Sequence, residues 1–316
     1  MRMKKIGILF GQENAFPQAF VERVNRICGP GLCAEFVMID KALQGEPENY
    51  AVIIDRISHD VPFYRAWLKN AALEGTAVIN NPFWWSADEK YFNNALALSL
   101  QIPVPNTALL PSFEQPADTD ARSFRNLRYP LDWEAIFAKT GFPAYMKPFA
   151  GGGWKHVYRI TDREQFFKVH AETRQEVMML QEEIVYDEYY RCYCIGGKHV
   201  RIMPYEPRNP PQERYQAGFQ PTRELISAME YSVLELNRAL GYDFNTVELA
   251  VRDGVPYAID FCNPAPDADL ASVGVDNFEW VVETMAAYAV ERARSQQFGK
   301  DNLTWGTFIR KAVQQH

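Results

Sequence analysis

A chain of 316 residues with 47% hydrophobic and 14% aromatic content has room for two or three lobes with real cores and is not a disordered polymer. The net charge of −7 and a pI near 5.4 argue against general binding to nucleic acid or anionic membranes, while leaving room for a local basic pocket. Five cysteines, an odd number, without a secretory signal point to a reducing cytoplasm, and the apolar run after Met1-Arg2-Met3-Lys4-Lys5 is too short for a signal or a membrane span.

Lys5–Phe10 is a short continuous apolar run ending at Gly11, the pattern of a buried parallel strand. Phe16–Ile27 has helical spacing, Glu35–Ile39 and Ala51–Ile54 read as strands, Phe63–Leu73 as a helix and Ala77–Ile79 as a strand. This alternation predicts a doubly wound α/β lobe, with a ligand pocket expected near Gly11–Asn14 and Asp55-Arg56 at the strand ends. No G-x-G-x-x-G follows the first strand, which speaks against a dinucleotide site. Asn80-Asn81-Pro82 marks a boundary, so the predicted domains are 1–82, 83–185 and 186–316.

Ser86 is expected to cap a helix running to Leu100, with Glu89 completing a capping box and Lys90 in the first turn. A cation there opposes the helix dipole, which hints that Lys90 faces an anion. Ser112–Arg128 reads as a long loop. Phe142–Phe149 is a strand carrying Lys147, followed by Gly151-Gly152-Gly153, whose backbone freedom lets amides converge on an anion, and then by another strand. Asp162–Ala171 is a short helix, and Val177–Ile184 is apolar until Gln181 and then acidic. A hairpin over Tyr189–Tyr205 carries Arg191 and Arg201, with Arg208 beyond it; guanidinium groups suit carboxylate and phosphate oxygens. Thr222 caps a helix that Gly241 ends, and helices over Phe278–Arg294 and Thr304–Val313 follow an acidic loop at Asp267–Asp276.

The most informative stretch is Asn245–Asp267. Apolar runs Val247–Val251 and Val255–Phe261 flank Arg252-Asp253-Gly254, predicting a hairpin that carries Glu248, Asp260 and then Asn263. A three-residue turn with left-handed Gly254 would set Glu248 directly opposite Asp260, whereas a two-residue turn would set it opposite Ile259. Paired acids in an apolar hairpin call for a cation, and an all-oxygen set suits Mg²⁺.

An acid on a strand, a hairpin, and a second acid followed by Asn263-Pro264 resembles the metal-binding end of ATP-grasp enzymes, although the usual Glu-x-Asn is here the longer Asp260-Phe261-Cys262-Asn263. The helix with Lys90, the following Ile102–Thr107, the strand–Lys147-Pro148–Gly-rich loop–strand order, and Gln181-Glu182-Glu183-Ile184 resemble the same family over about residues 84–300. The resemblance implies an α/β fold with α+β lobes: an ATP-grasp fold preceded by the doubly wound N-terminal domain. It implies ATP and Mg²⁺, with two ions or Mn²⁺ allowed. Glu248, Asp260 and Asn263 would hold the metal, while Lys90, Lys147 and the amides of Gly151, Gly152 and Gly153 would meet phosphates. Gln181, Glu182, Glu183 and Ile184 would sit at the adenine end, and Glu188, or else Asp187, at the ribose. Arg191 would meet the γ-phosphate or an acylphosphate, with Arg201 and Arg208 next in line and Lys147 assisting. The implied activity joins a carboxylate, activated as an acylphosphate, to an amine, with amino acid or peptide substrates, no nucleic acid, no membrane and a homodimer allowed. The alternatives on such a fold are a kinase, a carboxylase or a non-catalytic ATP-binding protein.

Overall fold

The computed structural model describes residues 3–83, 89–151, 155–216, 218–297 and 299–303. The expected cap at Ser86, the glycines Gly152 and Gly153, and the helix over Thr304–Val313 lie outside them.

The chain begins with β1 (Lys4–Leu9), α1 (Ala15–Ile27), β2 (Leu32–Phe36), β3 (Val52–Asp55), α2 (Pro62–Leu73) and β4 (Ala77–Ile79). The strands form a parallel sheet in the order β2-β1-β3-β4. Strand alternation divides its apolar side chains between two cores. Ile6, Ile8, Ile54 and Ile79 pack with Phe16, Phe20 and Val24 of α1. Leu9, Ile53 and Val78 pack with Trp67, Leu68 and Ala71 of α2. This is the doubly wound lobe expected. One strand differs: β2 lies at 32–36, not 35–39, because Asn25 of α1 binds both backbone groups of Ala34, accepting at 2.8 Å and donating at 3.0 Å. Gly7 on β1 is required by crowding, since a Cβ there would stand 2.6 Å from Val37 Cγ2.

Next come α3 (Lys90–Ser99), β5 (Thr107–Leu110), α4 (Trp133–Thr140), β6 (Ala144–Pro148), β7 (Tyr158–Ile160), α5 (Arg163–Glu172) and β8 (Met178–Glu182). Helix α3 starts later than expected, with Glu89 rather than Ser86 at its N-cap position and Lys90 as its first residue. The stretch 112–128 is irregular apart from one 3₁₀ turn, Ala121–Phe124, capped by Asp120. Asp132 and Asp162 cap α4 and α5 through the amides of Ala135 and Gln165.

The strands make an antiparallel sheet, β5-β8-β6-β7, whose register sorts function from core. Tyr145 pairs with Gln181 and Arg159, and Lys147 pairs with Met179. These residues therefore share one face. The intervening Ala144, Met146, Ile160, Met178 and Leu180 occupy the other face and bury against Phe137 of α4 and Phe166 of α5. Phe137 and Phe166 meet edge-on at 4.9 Å between centroids, while Trp133 stacks on Phe137 at 6.2 Å.

The chain ends with β9 (Glu188–Ile195), β10 (His199–Pro204), α6 (Arg223–Leu240), β11 (Phe244–Arg252), β12 (Val255–Asp260), α7 (Leu270–Val273) and α8 (Val275–Ser295). Thr222 accepts the Leu225 amide at 3.2 Å and Gly241 closes α6 in the left-handed region at φ +67°, as expected. The sheet order is β10-β9-β11-β12, with Arg191 opposite Met203 and Arg201 opposite Tyr193. The predicted acidic loop contains α7, capped by Asp269, and α8 begins at Val275, three residues earlier than expected, stacked along α1.

By internal contacts the chain divides into two units: Met1–Trp85 with Glu188–Leu249 and Asp260–His316, and Ser86–Asp187 with Ala250–Ile259. The N-terminal lobe thus shares a unit with most of the C-terminal elements. Replacing Leu180, fully buried in the second unit, by Ala is expected to cost about 3 kcal/mol in urea unfolding of that unit.

Candidate active site

The turn of the β11–β12 hairpin corrects the expectation. Asp253 and Gly254 both have positive φ, +54° and +75°, which is a two-residue turn of the type that Asp-Gly favours because its twist matches that of the strands. Carried on unbroken, that turn pairs Glu248 with Ile259 and turns Asp260, the last residue of β12, to the other side of the sheet, against the expectation that the two acids face each other. Their charges nevertheless meet: Asp260 raises the pKa of Glu248, and both acids raise that of Tyr189.

Glu248 sits in a buried polar network. Tyr189 donates its hydroxyl to Oε2 at 2.7 Å, and Arg191 Nε stands 3.7 Å from Oε1. Burial is the largest cause pushing the Glu248 carboxyl up; Arg191 pulls it down and Asp260 pushes it up again. Arg191 in turn donates from Nη1 to the Tyr215 hydroxyl at 2.9 Å and from Nη2 to Thr246 Oγ1 at 3.4 Å, with its guanidinium 5.5 Å from the Tyr205 ring. Burial opposes its charge, but Tyr215, Glu248 and Tyr205 together hold it above its ordinary value. Arg191 Nε is buried and makes no hydrogen bond.

Asn263 joins this set through neutral amides. Its backbone N–H donates to Asn245 Oδ1 at 2.8 Å and its Nδ2 to the Thr246 carbonyl at 3.0 Å, which leaves the side-chain oxygen as the atom that could hold a cation. Asn245 also donates to the Phe261 carbonyl at 2.8 Å, so the bend after β12 is written by a buried side chain. Asn80, just past β4, locks the other end. Its Oδ1 accepts the amides of Asp243 and Phe244 at 2.9 and 2.8 Å, and its Nδ2 donates to the carbonyls of Phe244 and Pro264 at 2.7 and 3.0 Å.

Two carboxylates and an amide oxygen, with burial and mutual repulsion raising one acid, fit a hard divalent cation such as Mg²⁺. Among the described residues, no three His, Cys, Asp or Glu side chains cluster as a metal site.

The remaining predicted residues of this unit lie in other interactions. Arg201 donates to Asn277 at 2.6 Å and stands 5.9 Å from the Trp280 ring, on the α8 side. Arg208 is exposed and forms a paired contact with Glu206 at 2.8 and 2.7 Å. Glu188 accepts from the Tyr190 hydroxyl. Asp55 and Arg56 do not end in a loose loop: Arg56 is buried, bonded to Glu13 and at 2.6 Å to the Pro266 carbonyl, between the rings of Phe16 and Phe244.

In the second unit, the Lys90 amide donates to the Phe149 carbonyl at 2.9 Å, which brings the start of α3 beside the end of the strand carrying Lys147. Gly151 follows at φ +86° with open space around its missing Cβ. Gln181 is buried, donating to Thr107 at 2.9 Å and more weakly to Asn94 at 3.3 Å. Glu182 accepts from Asn106 at 2.9 Å and from Arg252 at 2.9 Å. Glu183 accepts from Arg159 at 2.9 and 2.8 Å and from Tyr145 at 3.2 Å, and the Arg159 hydrogen bonds hold its carboxyl below the usual range. Ile184 is buried. Asp187 donates its amide to the Val251 carbonyl at 2.9 Å.

Sequence reasoning missed Tyr189, Tyr205, Arg214, Tyr215, Thr246 and the three shaping asparagines' shared role. Arg214 lowers the pKa of both Glu248 and Tyr205, and comes from the 3₁₀ turn Pro211–Gln216. The usable signal was Asn245-Thr246, a polar pair opening an otherwise apolar strand.

No sequence-defined protein family matches the chain, and no curated protein does. Solved structures do. An ATP-grasp RimK domain protein from Sphaerobacter thermophilus is 16% identical with a TM-score of 0.61, covering 90% of this chain and 99% of its own. D-alanine–D-alanine ligase from Bacillus anthracis, complexed with ATP, is 15% identical with a TM-score of 0.63, covering 92% and 97%. The ATP-grasp ligase PsnB, complexed with a minimal precursor, Mg and ADP, is 14% identical with a TM-score of 0.59, covering 92% and 98%.

Two outcomes follow from the geometry. Tyr189→Phe removes one of the bonds to a buried carboxylate and is expected to cost about 2 kcal/mol in denaturant unfolding. Glu183 has a lowered folded-state pKa, so its stabilisation is present above the unfolded carboxyl pKa and is lost as pH falls through the folded one. Arg159 is half exposed, so Glu183→Gln should cost less than about 1 kcal/mol at pH 7, and the difference from wild type should vanish at strongly acidic pH in urea melts.

Proposed function

We propose that this chain, which has the ATP-grasp fold, is an ATP- and Mg²⁺-dependent ligase that activates a substrate carboxylate as an acylphosphate and joins it to an amine. The observation that carries the reading is the buried network in which Glu248, Asp260 and Asn263 stand with Arg191. A protein that only folded around this hairpin would gain nothing from two mutually repelling acids beside a guanidinium with an unpartnered N–H.

Glu248, Asp260 and Asn263 would hold Mg²⁺, which when bound neutralises phosphoryl oxygens during transfer. Arg191 presents its guanidinium to an anionic oxygen of the transferring group or of the acylphosphate, steadied by Tyr215 and Thr246. Lys147, on the face of its sheet away from the aromatic core, and Lys90 would contact nucleotide phosphates, and Gly151 would offer them its amide. The side chains of Glu182 and Glu183 are held by Arg252 and Arg159, and the Glu183 amide donates to the Pro143 carbonyl at 3.3 Å, so the Glu183 carbonyl and the Ile184 backbone would be the groups to meet the adenine edge. Glu188 or Asp187 would hold the ribose. No protein nucleophile is required: the amine attacks the acylphosphate carbonyl and phosphate leaves, so positioning and electrostatics supply the rate. Amino acids and peptides are the first substrates to try, a choice supported by the likeness to a D-alanine–D-alanine ligase and to PsnB with its minimal precursor.

The test is an ADP-release screen of carboxylic acids and amines, singly and in pairs, with Mg²⁺. Release is expected only when an acid and an amine are both present, and Asp260→Asn should reduce turnover by at least 100-fold with an unchanged circular dichroism spectrum. A stable phosphorylated product, or full activity in Asp260→Asn, would reject the ligase and its metal site respectively.

A further inference from the structure

The N-terminal sheet, in the order β2-β1-β3-β4, reverses its winding between β1 and β3, and in such sheets ligands bind beyond the C-terminal strand ends at that point. Here the chain itself takes the position. Glu13 lies in the loop after β1, Arg56 directly after β3 and Asn80 directly after β4. The segment they hold is Pro264–Asp267, which follows Asn263. Arg56 Nη2 donates to the Pro266 carbonyl at 2.6 Å and Asn80 Nδ2 to the Pro264 carbonyl at 3.0 Å, while the Tyr193 hydroxyl donates to the Asp267 carbonyl. A guanidinium buried to hold a loop carbonyl is costly unless its charge is matched. Arg56 is 3% exposed; Glu13 accepts from its Nε at 2.9 Å and from its Nη2, and the rings of Phe16 and Phe244 stand 5.2 and 5.1 Å away. Asn80 refers the same segment to β11, the strand that carries Glu248, because its Oδ1 accepts the amides of Asp243 and Phe244.

We infer that Asn80 and Arg56 are positioning residues for the divalent cation: they set the place of the Asn263 side-chain oxygen relative to Glu248, and thereby how tightly the site holds metal. Pro264 and Pro266 have fixed φ, and a residue before proline is restricted as well, so Asn263 keeps few soft dihedrals once the two proline carbonyls are placed. The edge that an open α/β lobe offers to a ligand serves here as a jig for the segment after β12. The inference rests on the reading of Glu248, Asp260 and Asn263 as the metal set.

The experiment is titration of the full chain with Mn²⁺ in the presence of the β,γ-imido analogue of ATP, with protein-held Mn²⁺ read from the relaxation of water protons. The wild type is expected to bind, and Asn80→Ala and Arg56→Lys are each expected to weaken binding at least fivefold. Lysine keeps the charge beside Glu13 but lacks the fork that also reaches Pro266. The two variants lie after different strands, so the test survives if one fails to fold. Leu236→Ala, on the buried face of α6, destabilises the same unit away from the segment and is expected to leave the affinity within twofold. In the ADP-release assay, the positioning variants should need at least fivefold more Mg²⁺ for half-maximal rate and return to within twofold of the wild-type rate at saturating Mg²⁺. A lower rate at every Mg²⁺ concentration with an unchanged half-saturation point overturns the inference. So does wild-type Mn²⁺ affinity in both variants, or equal weakening by Leu236→Ala, and in these cases the metal set stands. A wild type that holds no Mn²⁺ removes the metal set and the inference together, whereas one that holds Mn²⁺ but releases no ADP sinks the ligase reading and leaves the Mn²⁺ affinities to decide.

Discussion

The pair Arg191–Glu248 sets the terms for everything around it. Two charges taken out of water each cost several kcal/mol, and attraction between them repays that only when the leftover donors and acceptors are also satisfied. Here the satisfaction is incomplete by design of the surroundings: Tyr189 serves the carboxylate, and Tyr215 and Thr246 serve the guanidinium. The direct contact stays at 3.7 Å and one N–H goes unanswered. Three tyrosines with phenols pushed upward by burial line the same space, so none of them offers a competing negative charge near neutral pH. What results is a largely buried polar cluster with negative and positive ends, a setting in which electrostatics acts more strongly on charge than it does in water.

The cluster keeps its shape through neutral amides. Asn80, Asn245 and Asn263 exchange hydrogen bonds with backbone groups at the start of β11 and just beyond β12, and Asn80 alone makes four. Buried backbone groups must be paired somewhere, and a side-chain amide can pair a donor and an acceptor at once. This is how an irregular bend after β12 is made stable without extending the strand. It also ties the end of a parallel strand in the N-terminal lobe to the bend after β12, and those distant stretches of sequence share one unit.

Much of this was readable from residues. Continuous apolar runs separated by helical periods gave the doubly wound lobe, and Thr222, Asp162 and Gly241 cap their helices as their chemistry requires. Glu248 and Asp260 were visible as acids in an apolar hairpin. The turn is shorter than expected because Asp253-Gly254 takes up positive φ at both positions, a local preference that the spacing of the two acids does not encode. Strand β2 slipped because an edge strand takes its register from a helix side chain, Asn25, which hydropathy does not encode. The tyrosines and Arg214 were unreadable for a related reason: they are spread over β9, β10 and a 3₁₀ turn, and only the fold makes them neighbours.

Strand β6 has a property that reaches beyond the finished structure. Its odd and even positions differ completely in character, with Lys147 and Tyr145 on one side and Ala144 and Met146 against the aromatic cluster of Phe137 and Phe166. Sliding the strand by a single residue would drive an ammonium into that cluster and expel two apolar side chains into water. Misalignment is thereby punished during folding itself: the lysine acts as a proofreader for the pairing that later presents it.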